Sequence, residues 1–387
     1  MKLRCLGDFV ELRQGLAINK GSAHLVSDIQ DINYCYPLLR IADMMDSNFS
    51  KFVSKDVNSS VIANPQDIIY TRTGQIGLVF RGMQGVVHNN SFIVSLKTNE
   101  LEKDYLYTVL NSNFVKKQAN SQAKNSVQPD LTHTMFKSIV IPVPDSKKEQ
   151  NRISKIINNI NQKIQINNQI NQELEFMAKT LYDYWFVQFD FPDQNGKPYK
   201  SSGGKMVYNP ELKREIPEGW GVEKLKCFLT IKNGKDHKHL QDGKFAVYGS
   251  GGIMRTVADY LYSGESILFP RKGSLNNVMY VNEEFWTVDT MFYSEVNKNN
   301  SALYVFYSVK DIDFNKLNTG TGVPSMTSSI LYDLNIIVPE ENILEKFNTI
   351  VKQNYETIKL NNIQNQELNQ LRDWLLPMLM NGQVKVE

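Results

Sequence analysis

"NNQINQEL" occupies residues 167–174 and "NNIQNQEL" occupies residues 361–368, a constant 194 positions later. Both read N-N-x-x-N-Q-E-L, with Ile and Gln exchanged between them. The string carries no catalytic group and is too polar for an ordinary core. Each copy lies inside a long segment of helical period; the first, 146–184, contains no Pro or Gly. Alternating steps of four and three residues give a seam through Ile153, Ile157, Ile160, Ile164, Asn167, Asn171, Leu174 and on to Trp185. The same steps in the second segment give Phe347, Val351, Asn354, Ile358, Asn361, Asn365, Leu368 and on to Leu379. The paired Asn fall at equivalent heights. A seam Asn lowers stability, because its amide must find a partner, and it fixes register in return. The pattern therefore predicts two helices paired antiparallel near the octets, through Asn167, Asn171, Leu174, Asn361, Asn365 and Leu368. The plainer alternative is two solvated, Asn-rich helices left by an old duplication.

The similarity extends upstream. "NSVQPDLTHTMFKSIVIPVPDSKKEQ" (125–150) parallels "TGVPSMTSSILYDLNIIVPEENILEK" (321–346), and "YTRTGQIGLVF" (70–80) parallels "FPRKGSLNNVMYV" (269–281). "VVHNNSFIVSL" (86–96) matches "WTVDTMFYSEV" (286–296), and "LGDFVELRQG" (6–15) matches "LKCFLTIKNG" (225–234). The whole chain is a duplication of a globule followed by a helix. The fold class expected is α+β: two mixed α/β globules separated by two long antiparallel coiled-coil helices, with internal pseudo-twofold symmetry. The expected boundaries are 1–144 for the first globule, 145–186 for the central helix, 217–340 for the second globule and 341–387 for the C-terminal helix. Between them, 187–216 is dense in Gly, Pro and Ser and reads as a linker over a surface.

A chain of 387 residues exceeds one ordinary core, and 41% apolar with 22% charged residues is the composition of a folded soluble protein. No stretch resembles a secretory signal or the roughly 20 apolar residues of a membrane helix. Cys5, Cys35 and Cys227 are odd in number and far apart, which fits a reducing cytoplasm. They form no CxxC pair and the five His are scattered, which argues against a structural zinc. Residues 1–144 hold 15 basic and 12 acidic residues, and 217–340 hold 12 and 14. Neither globule is a polycation, so any DNA attraction must come from local clusters or partners.

Catalytic motifs are missing. There is no G-x-x-x-x-G-K-[ST] loop, and "YGSGGIMRTVADYL" (248–261) lacks dinucleotide-binding spacing and reads as a tight turn. No Asn/Asp-Pro-Pro-aromatic tetrapeptide of an adenine methylase occurs, and "PDSKKEQ" (144–150) reads as a helix cap. What remains are polar and basic clusters on Gly-bearing loops, at duplicated positions. In the first globule the candidates are Gln14, Arg72, Thr73, Gln75, Asn89, Asn90, Lys124 and Asn125. In the second they are Lys235, His237, Lys238, His239, Arg271, Lys272, Ser274, Thr290 and Thr321. Arg and Lys reach phosphates and guanine, and Asn and Gln read adenine by paired hydrogen bonds. Each cluster alone reads more readily as a solvated loop; repetition at duplicated positions brings DNA contact level with that reading.

Two stretches carry a resemblance. These are "KEQNRISKIINNINQKI" (148–164) and "LYDYWFVQFDFPDQNGKPYKSSGGKMVYNPELKREIPEGW" (181–220), with "FPRKGS" (269–274) inside the second globule. Through them the chain resembles, over nearly its full length, the DNA-specificity subunits of type I restriction–modification systems. The resemblance implies two target-recognition domains, each reading half of an asymmetric, interrupted site in double-stranded DNA through the major groove. It implies that the paired helices act as a ruler, since about 40 residues rise roughly 60 Å and one DNA turn is about 34 Å. It further implies two methyltransferase subunits that bring S-adenosylmethionine, and a restriction (motor-nuclease) subunit that uses ATP and magnesium. This chain itself would be non-catalytic and bind no cofactor, metal or membrane. One departure stands out: the second helix begins "ILEKFNTIV" (343–351), without the Glu149-Gln150 pair of the first. Contacts made by that pair are expected to be weaker or absent there. Three other readings stay open: an enzyme in its own right, a coiled-coil scaffold without a DNA role, and a subunit serving methylation alone.

Overall fold

A segment free of helix breakers, with apolar residues every three to four positions, forms the helix Lys147–Tyr182. The second segment forms Glu341–Met380 and continues through Pro377. A proline in the last turn removes just one late hydrogen bond, so the helix survives it. The computed structural model describes residues 2–123, 129–318, 320, 322–380 and 383–384. No helix among them is long and apolar enough to cross a membrane. The chain divides into two compact units, Met1–Asn167 with Ile363–Glu387, and Asn168–Asn362. Each long helix therefore gives one end to each unit.

In the first unit, Lys2–Cys5 pairs antiparallel with Val140–Val143 just before the long helix. A four-stranded sheet runs in the order Val10–Gln14, Ser91–Leu96, Ile68–Thr71, Val79–Phe80. Its neighbour has five short strands and includes Tyr36–Leu39 parallel to Gly85–Val87. The helices Lys103–Leu110 and His133–Ser138 cover the first sheet, burying Tyr105, Leu106 and Phe136 with Phe92 and Val94. The same core takes in Ile153 and Ile157 from one long helix and Leu376, Leu379 and Met380 from the other. Gln150, 1% exposed, stitches helix to globule. Its Oε1 accepts from the Glu102 N–H at 2.7 Å, and its Nε2 donates to the Glu100 carbonyl at 3.0 Å.

The second unit repeats this plan. Gly221–Lys224 pairs with Asn335–Val338, the counterpart of the first unit's terminal pair. A six-stranded sheet contains Leu229–Asn233, Met291–Val296 and Tyr262–Pro270 side by side, in the same order as their first-unit equivalents. Tyr304 donates to the Ile337 carbonyl just as Tyr105 donates to that of Pro142. Where the first helix begins with Glu149 and Gln150, the second has Ile343 and Leu344, 3% and 7% exposed within the core. Apolar packing replaces the missing hydrogen bonds.

The segment 187–216, expected as a linker over a surface, departs from that reading at its two ends, while none of 192–215 is buried. Phe189 and Phe191 are 2% and 4% exposed and pack with Trp220 in the main core of this unit. Asp190 pins the following loop by accepting from the Ser201 N–H and hydroxyl. The Gly and Pro residues shape loops, but the alternating aromatics of "FVQFDF" (186–191) decide where the segment lies.

The two helices run antiparallel within each unit. In the first, Asn167 is fully buried, and its Nδ2 donates to Asn365 Oδ1 at 2.9 Å and to Gln364 Oε1 at 2.8 Å. Arg372 Nη1 donates to Asn161 Oδ1 at 3.3 Å. In the second, Asn361 donates to Asn171 Oδ1 at 2.8 Å while Asn171 donates to Asn362 Oδ1 at 3.0 Å. Leu174 and Leu368 are half-buried, and the Leu174 carbonyl accepts from Asn354.

Candidate nucleic-acid interface

In the first unit the end of Val10–Gln14 meets the turn before Ser91–Leu96. Gly15 makes this approach possible, since a Cβ there would sit 2.3 Å from the His88 carbonyl oxygen. The Asn89 N–H then donates to the Leu16 carbonyl at 3.0 Å. Gln14 Nε2 donates to the Asn89 carbonyl at 2.8 Å, and its Oε1 lies 3.1 Å from His133 Nε2. From the neighbouring strand, the Arg72 N–H donates to the Asn90 carbonyl at 2.8 Å, and the Leu131 N–H donates back to the Arg72 carbonyl at 3.0 Å. The Arg72 guanidinium lies over the Phe92 ring, 5.5 Å from its centre. Its Nη2 reaches Asp130 Oδ2 at 2.5 Å, Nη1 reaches the Asn89 carbonyl at 3.4 Å, and Nε reaches the Leu131 carbonyl at 3.3 Å.

This frame gathers Gln14, Arg72, Thr73, Asn89 and Asn90. The buried Thr73 hydroxyl has no hydrogen-bond partner among the described residues. Gln75 is exposed beyond Gly74, whose φ of 72° turns the chain. Lys124 and Asn125 lie outside the described residues. Asp130 and His133 belong to the cluster although sequence reasoning passed over them; both stand in the 125–150 stretch, and only the fold brings them to Arg72. Burial, aided by the Arg72 and Lys137 charges, holds the His133 imidazole below its ordinary pKa.

The second unit builds the same frame. A Cβ on Gly234 would meet the Val288 carbonyl oxygen at 2.1 Å. The Arg271 N–H donates to the Thr290 carbonyl at 2.8 Å, the Met326 N–H donates to the Arg271 carbonyl at 2.9 Å, and the Arg271 guanidinium lies 5.8 Å from the Phe292 ring centre. The Lys272 N–H also donates to the Thr290 carbonyl, and Lys235 is anchored through its backbone to Thr287 and Trp286. Lys235, Lys238, His239, Arg271, Lys272 and Ser274 are all exposed, and His237 is half-buried on the same loop as Lys238. His239 faces Trp286 edge-on. Thr321 lies outside the described residues.

The arrangement offers hydrogen-bond donors and acceptors on neighbouring loops. Among the described residues no group of three or more His, Cys, Asp and Glu could hold a metal. A cavity of about 530 Å³ in the first unit is lined by Asn158, Asn161, Gln162, Arg372 and neighbouring residues, and none of the loop candidates lines it.

The model of the type I restriction modification DNA specificity domain family matches residues 1–176 and again 217–370, one match on each duplicated half. The chain belongs to this family. It is 27% identical over 350 residues to the type I restriction enzyme MjaIX specificity subunit of Methanocaldococcus jannaschii, covering 83% of this chain and 78% of the relative. It is 21% identical over 375 residues to the HindI specificity subunit of Haemophilus influenzae, covering 77% and 81%. The fold is similar to the crystal structure of a type I restriction–modification S subunit from M. genitalium, with a TM-score of 0.60 at 16% identity over 98% of this chain and 95% of that one.

Proposed function

We propose that this chain is the non-catalytic DNA-reading subunit of a type I restriction–modification complex, each unit reading one half of an interrupted target. The observation that carries this reading is the loop frame built twice, around Arg72 and around Arg271. The two frames present different side chains. Gln14, Asn89, Asn90 and His133 stand in the first, and Lys235, Arg271 and Lys272 in the second, so the two half-sites differ and the target is asymmetric. The helices of 36 and 40 residues set the gap between half-sites. Their outer faces carry exposed Phe176, Met177, Leu360 and Trp374, apolar surface suited to two methyltransferase subunits. Those partners supply S-adenosylmethionine and methylate adenine, and a restriction subunit with ATP and magnesium joins for cleavage.

The test is base-modification sequencing of genomic DNA from cells carrying this chain and its methyltransferase subunit, against cells lacking only this chain. A methylated motif of two unlike half-sites with a fixed gap, present only with the chain, is the expected result. A stable protein complex that writes no motif would leave a scaffold as the better reading.

A further inference from the structure

The matched arginines of the two frames are not equivalent. Every nitrogen of the Arg72 guanidinium is engaged within the chain, on Asp130, the Asn89 carbonyl and the Leu131 carbonyl. Its side chain is 18% exposed. To fork onto guanine or a phosphate it would have to abandon Asp130 and leave that carboxylate facing polyanionic DNA. The bridge between Thr73 and Asp130 corresponds to the one between Lys272 and Ser325 in the second unit. A serine thus stands where the first frame has its acid, and a lysine where it has Thr73. Arg271 is exposed and forms no ion pair among the described residues. Asp289, the acid nearest to it along the turn, pairs with neither Arg271 nor Lys272 among them. The first frame's arginine is neutralised, whereas Arg271 and Lys272 leave the second with a net positive charge.

We propose that Arg72 is a positioning residue, which with Asp130 clamps the 129–133 segment against the Asn89–Asn90 turn, and that Arg271 is the arginine that meets DNA. The inference rests on the DNA-reading function proposed above. In the first frame base reading falls to Gln14, Asn89, Asn90 and His133, whose orientation the clamp maintains. Neutral amides and an imidazole recognise base edges by hydrogen bonding, so this half-site contributes little counterion release.

The test uses the whole complex with methyltransferase subunits and duplexes carrying the motif found by modification sequencing. Each is compared with duplexes changed in one half-site, across a salt series. Asp130→Asn, which preserves shape, and Arg72→Lys, which preserves charge, are both expected to lose about 10-fold in discrimination at one half-site. Arg72→Ala added to Asp130→Asn should cost little more, because the two residues act as a unit. None of these should flatten the dependence of log affinity on log salt. Arg271→Ala should either flatten that slope by about 0.9 or lose about 5- to 150-fold of discrimination at the other half-site. The proposal is overturned if Asp130→Asn leaves discrimination intact, if Arg72→Lys retains it, or if Arg271→Ala changes neither quantity. Failure of the wild-type complex to prefer its motif would instead strike the DNA-reading function itself.

Discussion

The amide rung at Asn167 and Asn365 permits a quantitative test of why the octet is written twice. Asn167 is fully buried and Asn365 is 8% exposed. Asn167 Nδ2 is shared between Asn365 and Gln364, while its Oδ1 has no hydrogen-bond partner among the described residues. Asn167→Leu takes this donor away from the buried Asn365 Oδ1, and removing one partner of a buried hydrogen bond costs about 1–3 kcal/mol. Added apolar burial offsets part of this, so a net loss of about 1–2 kcal/mol is expected. Asn365→Leu should do comparable damage by removing an acceptor from Asn167. The double variant removes both amides and should come within about 1 kcal/mol of wild type, or exceed it, because replacing both partners by apolar groups is close to neutral. Hydrogen exchange measured on peptides spanning 160–172 and 360–370 reports the opening of this stretch locally. Each single variant should exchange roughly 5- to 30-fold faster, 1.4 kcal/mol being about tenfold, and the double should recover most of that protection. If the double loses as much as the two singles together, the rung is not an interacting pair and the reasoning fails.

Three further outcomes are expected. Gly15→Ala and Gly234→Ala push a methyl group into a carbonyl oxygen and should each destabilise its own unit by about 1–3 kcal/mol; chemical denaturation showing neutral variants would mean that the loops yield easily. A four-residue insertion in each helix at the octet, about one turn and roughly 6 Å, should lengthen the gap in the methylated motif while leaving both half-sites unchanged; an altered half-site with a constant gap would end the ruler idea. His88 and His133 are held below the ordinary histidine value, chiefly by burial. Because the unfolded chain then binds more protons, their contribution to stability is present above about pH 6.5 and declines as pH falls through the lowered folded values. The urea midpoint should therefore drop from pH 7.5 to 5.5, and less steeply in a variant with both replaced by Gln; an equal slope in that variant would assign the loss to other groups.

Elements whose logic is local or periodic were legible in the sequence. The seam spacing located both helices, and the repeated Asn marked where their amides meet, because an amide on an otherwise apolar seam is stable only opposite another polar group. The Gly-bearing loops were found for the same kind of reason: Gly15 and Gly234 each stand at a close backbone approach, and duplication exposed them as a pair. Pairings set by the fold at long range were not legible. Arg72 and Asp130 lie 58 residues apart, and no pattern in the chain distinguishes a clamped arginine from a free one. Composition misled at 189–191, where two aromatics are buried at the head of a stretch otherwise rich in Gly, Pro and Ser. Gln150 lies between these cases: its position at a helix start was visible, but its bond to the Glu102 N–H depends on a loop formed 48 residues earlier.

The division of each long helix between the two units has a consequence for the order in which the protein is made. The first globule and its helix stripe at Ile153 and Ile157 leave the ribosome long before Leu376, Leu379 and Met380, which complete the same core. At a synthesis rate of about 5–20 residues per second, the delay is roughly 10–40 s. Throughout that interval the apolar residues that Leu376, Leu379 and Met380 cover in the finished core lack that cover. The stretch from Leu376 to Met380 thus acts as a molecular latch on a core whose other members precede it by more than two hundred residues.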